Sequence, residues 1–204
     1  MVLVVAVPVV LLLSLALVEV PCYTGAVTDD GTRELQAGRT GLIVPIPEAE
    51  PAVRAWRERL DPGAREGVPA HVTVLFPFLR EDCVDGAVHR ALEEVLAAHP
   101  AFRVRFESCG RFPGVLYLAP EPDGPFRQLT RAIADRWPET PPFGGRFSDV
   151  VPHLTVAQGH EDAVLERVEA ELLGGTPITA LVSSVELLVH DGTRWHERAS
   201  FALG

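Results

Sequence analysis

From Arg39 to Leu203, apolar residues recur with periods of about 2 and about 3.6, and the alternation between them divides the chain into strands and helices. Gly41 to Ile46 is a short apolar strand, closed by Pro47. Ala49, Val53, Trp56 and Leu60 follow at helical spacing, with Arg54, Arg57, Glu58 and Arg59 between them. They predict an amphipathic helix that Asp61-Pro62-Gly63 stops. His71-Val72-Thr73-Val74 then alternates polar and β-branched residues, as a half-buried strand does, and runs on through Leu75-Phe76-Pro77-Phe78. A helix is predicted over 84–98 on the stripe Val84, Val88, Leu92, Val95 and Leu96. Phe102, Val104 and Phe106 alternate with Arg103, Arg105 and Glu107 in a strand with one wet face, which Gly110 is expected to break.

The remainder repeats this order. Gly114 to Leu118 resembles Gly41 to Ile46 and is expected to end at Pro120, while Phe126, Leu129, Ile133 and Trp137 give a second amphipathic helix. A Pro/Gly-rich loop over 138–152 leads to His153-Leu154-Thr155-Val156, in which His153 follows His71 by 82 positions. From the leading glycine to the histidine is 30 residues in the first copy (41 to 71) and 39 in the second (114 to 153), the longer loop taking up the difference. A helix near 161–173, ended by Gly174-Gly175, and two strands over 178–189 and 195–203 close the chain. Asp191-Gly192 is a hairpin signal between those strands. Wet-faced strands and a hairpin point to antiparallel sheets, hence an α+β class. The duplication predicts a bilobal fold over residues 39–204, with two antiparallel sheets and flanking helices around a central cleft, and one His-x-Thr strand from each lobe. Trp56 and Trp137 are expected in the core.

Residues 1–38 stand apart as an apolar N-terminal segment and polar linker. Met1 to Val18 carries no charge and reaches the length of a membrane-spanning helix. Yet Pro8 interrupts it and no Lys or Arg precedes it, so it lacks the basic start of a secretory signal and a positive-inside cue. Three readings stand: a membrane anchor through residues 1–18, an apolar extension packed on the domain, or a leader created by the assumed start of translation.

Composition narrows the partners. With 47% hydrophobic residues, 204 residues suffice for one sizeable core. A net charge of −10 and a pI of about 5.1 oppose duplex nucleic acid, whose binding is driven by phosphate neutralisation. Cys22, Cys83 and Cys109 show neither CxxC spacing nor an even count, so reduced thiols in a cytoplasmic monomer are expected, with the membrane-anchored form as the alternative.

The chemistry lies in the repeated motif. Side chains two apart on a strand share a face about 6.6 Å from one another, so each histidine has a threonine beside it. Imidazole titrates near pH 6.5, and two of them across a cleft can take a proton from an attacking oxygen and give one to a leaving oxygen. The threonines can donate to non-bridging phosphate oxygens. This pairing serves phosphodiester transfer with no metal or other cofactor, and the remaining histidines show no ligand spacing.

His71-Val-Thr73-Val and His153-Leu-Thr155-Val, set in a duplicated strand-helix frame, resemble the two HxT-hydrophobic motifs of the 2H phosphoesterase superfamily, in its 2′-5′ RNA ligase-like group. The resemblance covers about residues 39–203. It implies a bilobal α+β fold and metal-independent action on 2′,3′-cyclic phosphates or 2′-5′ linkages of small nucleotides or RNA ends. It also implies an acid/base pair, His71 and His153, without saying which is which, and phosphate ligands Thr73 and Thr155. Where RNA-processing members often have a basic residue after the second motif, Val156-Ala157-Gln158 supplies an amide, which weakens the case for polynucleotides. Candidate substrate contacts are Phe76, Arg111, Phe143, Arg146 and Gln158. Two rival readings are a non-catalytic nucleotide-binding relative and a membrane-tethered interaction module.

Overall fold

Two four-stranded antiparallel sheets carry the site, and each has one of the His-x-Thr strands at its edge. The computed structural model describes residues 37–146 and 149–204, so the readings made of residues 1–18 and of most of the linker lie outside the described residues. The strands are β1 (Thr40–Pro45), β2 (His71–Leu75), β3 (Phe102–Phe112), β4 (Val115–Glu121), β5 (Leu154–Gln158), β6 (Ile178–Val182), β7 (Ser184–His190) and β8 (Trp195–Ala202). The helices are α1 (Glu50–Leu60), α2 (Pro62–Arg65), α3 (Gly86–Ala97), α4 (Gly124–Arg136) and α5 (Asp162–Leu172). One sheet has the order β2-β1-β7-β8 and the other β5-β4-β3-β6. Each His-x-Thr strand therefore lies at a sheet edge beside its leading strand, and the duplication is positional as well as sequential. The connecting helices are exchanged: α1, which joins β1 to β2, packs on β5, and α4, which joins β4 to β5, packs on β2. Buried side chains of both sheets form one continuous apolar cluster, which fixes the two strand edges relative to each other.

Several boundaries differ from the sequence expectations. The run 178–189 is two strands in different sheets, the chain crossing between them at Ser183. Gly110 does not break β3, because the ring of Tyr117, its cross-strand partner, lies over it where a Cβ would stand. Pro120 sits inside β4, and the missing N–H is accommodated opposite Phe106, where the β3–β4 register shifts in a bulge. The loop between β7 and β8 is four residues, Asp191 to Arg194. The Asp191 side chain accepts the N–H groups of Thr193 (2.7 Å) and Arg194 (2.8 Å).

Burial within the elements follows the alternation. Val72 and Val74 are buried while His71 and Thr73 are half-buried, and Leu154 and Val156 are buried while Thr155 is half-buried. Asp85 caps α3, its Oδ1 accepting the Ala87 and Val88 N–H groups. Trp137 is buried against Phe78, ring centroids 5.3 Å apart, whereas Trp56 is half-buried beneath the Arg59 guanidinium. Arg57, expected on the wet face of its helix, is 2% exposed and paired with Asp61. Cys109 is a free thiol whose pKa burial pushes up to about 11, and Cys83 is disulfide-bonded, which corrects the expectation that all three thiols are reduced. Among the described residues no helix is long and apolar enough to cross a membrane.

Candidate active site

A cleft of about 320 Å³ opens between the facing edges of the two sheets. His71 and Thr73 enter it from β2, and His153 and Thr155 from the entry to β5. Pairing explains the placement: Thr73 stands opposite Ile43 of β1 and Thr155 opposite Tyr117 of β4, equivalent positions in the two sheets. Phe76, Phe143 and Gln158 also line the cleft.

Both imidazoles are held in the same way. Nδ1 of His71 lies 2.7 Å from the carbonyl oxygen of Pro69, and Nδ1 of His153 lies 2.7 Å from that of Val151. A carbonyl only accepts, so each Nδ1 carries a proton and donates it, and Nε2 keeps its lone pair when the ring is neutral. The Nε2 atoms are then the reactive ones. Burial pulls the His71 pKa from 6.5 down to about 4, helped by the Arg57 guanidinium and by His153, and opposed by the Pro69 bond and the Asp61 carboxylate. His153 is lowered too, first by burial, with the Val151 bond opposing. Phe112 and Tyr117 flank its ring at centroid distances of 5.2 and 5.3 Å.

Phe143 has φ 52° and ψ 31°, a left-handed conformation rare for a bulky residue, and its N–H donates to the Phe76 carbonyl at 2.7 Å. That bond ties the loop before the second motif to the end of the first. The two candidate arginines are not brought to the cleft. Arg111 donates to Glu169 from its Nε at 3.1 Å and also pairs through Nη2, and Arg146 is exposed within the loop over 138–152. Cleft residues that the sequence reading missed include Asp61, Gly63, Val68, Leu188 and Trp195. Of these only Asp61-Pro62-Gly63 gave a signal, as a helix stop before the motif. Among the described residues, no group of three His, Cys, Asp or Glu side chains is arranged to hold a metal ion.

The model of the 2′-5′ RNA ligase superfamily matches residues 45–194, which include both motifs and the two strands that carry them. The chain belongs to the 2′-5′ RNA ligase superfamily. As a member of that group of phosphoesterases and ligases it shares its fold with E. coli LigT. The structure of LigT complexed with 3′-AMP matches at 18% identity and TM-score 0.58, over 81% of this chain and 98% of that one. LigT in apo form matches at 20% identity and TM-score 0.54, over 82% and 98%. TT0787 of Thermus thermophilus matches at 20% identity and TM-score 0.53, over 80% and 97%. No curated protein matches the chain. The superfamily fold thus accounts for the duplicated sheets and for the meeting of the two motifs.

Proposed function

We propose that this superfamily member is a metal-independent phosphodiesterase that opens 2′,3′-cyclic phosphates on small nucleotides or RNA ends. The observation that carries the reading is the matched pair of imidazoles in one cleft, each with Nδ1–H committed to a backbone carbonyl and Nε2 left for proton transfer. In hydrolysis, one Nε2 removes a proton from water as its oxygen attacks phosphorus. The P–O3′ bond breaks, and the other Nε2–H protonates the departing 3′ oxygen, leaving a 2′-phosphate. Thr73 and Thr155 hydroxyls donate to the non-bridging oxygens as charge builds there. His71, whose pKa is the more strongly lowered, is assigned as the base, because it is neutral at working pH. His153 is assigned as the acid, since a phosphodiester anion bound between the rings raises the pKa of the imidazolium beside it. Where a 5′-hydroxyl attacks in place of water, the same P–O3′ bond breaks, the same groups move the protons, and a 2′-5′ linkage is joined.

The cleft volume lies at the small end of ligand sites, which favours a nucleotide end over an extended strand. The net charge of −10 favours it too. Phe76, Phe143 and Trp195 offer apolar faces to a base and Gln158 offers an amide at the rim. LigT, the relative with this fold, has been crystallised with 3′-AMP, a ligand of the same size class. The test is a panel of 2′,3′-cyclic nucleotides and 2′-5′ dinucleotides assayed in EDTA. Turnover with a 2′-phosphate product supports the proposal. Binding without turnover across the panel replaces it with the nucleotide-binding reading.

A further inference from the structure

The carbonyls that hold the two imidazoles are themselves held, and by the same device in both halves. In the first, Arg57 of α1 donates from Nη2 to the carbonyl of Val68 at 3.2 Å, three residues before His71. In the second, Arg127 of α4 donates from Nη1 to the carbonyl of Val150 at 2.7 Å, three residues before His153. The next carbonyl in each segment, Pro69 or Val151, is the one that accepts the Nδ1–H. Each guanidinium is fixed by two carboxylates. Arg57 meets Asp61 at 2.9 Å and Glu50 at 4.0 Å, and Arg127 meets Asp123 at 2.7 Å and Asp149 at 2.8 Å. The two arginines occupy different turns of their helices, so the sequence repeat does not align them, yet they reach equivalent backbone atoms.

We propose that Arg57 and Arg127 are positioning residues that set the tautomer of His71 and His153. A guanidinium on the carbonyl at position −3 fixes that peptide plane, and the adjoining proline, Pro69 or Pro152, limits the rotation left in the segment. The carbonyl at −2 is thereby aimed at Nδ1. In water the neutral side chain favours the proton on Nε2, so a loosened segment covers the lone pair that His71 needs as base and, at His153, frees the ring to turn its Nε2–H away from the leaving oxygen. This consequence for turnover rests on the two-histidine reading above, whereas the tautomer itself does not.

Arg127, with its side chain 35% exposed, is the arginine to vary. Ring ¹⁵N shifts of His153 in the full chain, measured above its pKa, report the tautomer directly. Wild type is expected to show the proton on Nδ1. Arg127→Gln is expected to show a mixture or Nε2–H, with kcat on cyclic phosphate lowered on the order of 10- to 100-fold and KM little changed. Arg127→Lys, which restores one donor, recovers part of both, and Arg131→Gln on the exposed side of the same helix changes neither. If Arg127→Gln does not fold, Asp149→Asn frees the same guanidinium from its exposed side and is read in the same way. An unaltered His153 signature and kcat in the glutamine variant overturn the proposal, as does an equal loss in Arg131→Gln. A wild type inert on every cyclic phosphate counts against the proposed activity, and the ¹⁵N reading still decides the role of the arginine.

Discussion

Acidification tests the environment of His71 without any substrate. The ring titrates at about 4 in the folded chain and near 6.5 once unfolded. Between those values the unfolded chain binds a proton that the folded chain does not, so this contribution to stability is complete above pH 6.5 and is lost as pH falls toward 4. At about 1.4 kcal/mol per pKa unit, the loss amounts to about 3 kcal/mol, a large share of the roughly 5–15 kcal/mol typical of a domain. His71→Gln removes the titration and keeps a hydrogen-bonding side chain. Urea denaturation of both proteins in steps from about pH 7.5 to about pH 4 should therefore show wild type losing about 3 kcal/mol more than the variant. NMR titration of the His71 ring gives the pKa independently. Parallel stability curves, together with a ring titrating near its ordinary value, would refute the assigned burial and with it the reason for naming His71 the base.

Other consequences concern the rest of the cleft. Gly110→Ala would set a Cβ 2.3 Å from the Tyr117 Cζ, which must move from beside His153; denaturation should show a loss of about 1–3 kcal/mol and turnover should fall, and unchanged stability would contradict the packing described. Thr73→Val and Thr155→Val keep shape and remove a donor, so each should lower kcat/KM by about 10²–10³-fold while thermal stability holds. A diester with a 4-nitrophenyl leaving group needs no general acid, so it should rescue His153→Ala and not His71→Ala; the opposite pattern reverses the assigned roles.

Much of the architecture was legible because burial on a strand has a fixed period. The alternation in 71–74 and 153–156 put the histidines and threonines on one face, and the twin strand-helix runs implied two matching sheets. What escaped depended on contacts between distant segments. The apolar run 178–189 carries no mark of a change of sheet except the Ser183-Ser184 pair. Gly110 and Pro120 read as breaks because the Tyr117 ring and the bulge that accommodate them lie across the strand pair. Arg57 fell among charged residues at positions that read as solvent-facing, and only the fold shows Asp61 and the Val68 carbonyl waiting for it. Arg111 had the right charge for a phosphate, but its strand position directs it to Glu169. The exchange of α1 and α4 between the sheets has no sequence signature, since either helix has an apolar stripe that fits either sheet.

The central claim is that His71 and His153 act as one proton-transfer pair on a phosphodiester. Its most direct test is kcat/KM on the best 2′,3′-cyclic nucleotide for wild type, His71→Ala, His153→Ala and the double variant, all in EDTA. Each single variant should lose at least about 10²–10⁴-fold, and the double variant should lose little more, because either half of the pair is idle without the other. Near wild-type turnover in either single variant would contradict the account.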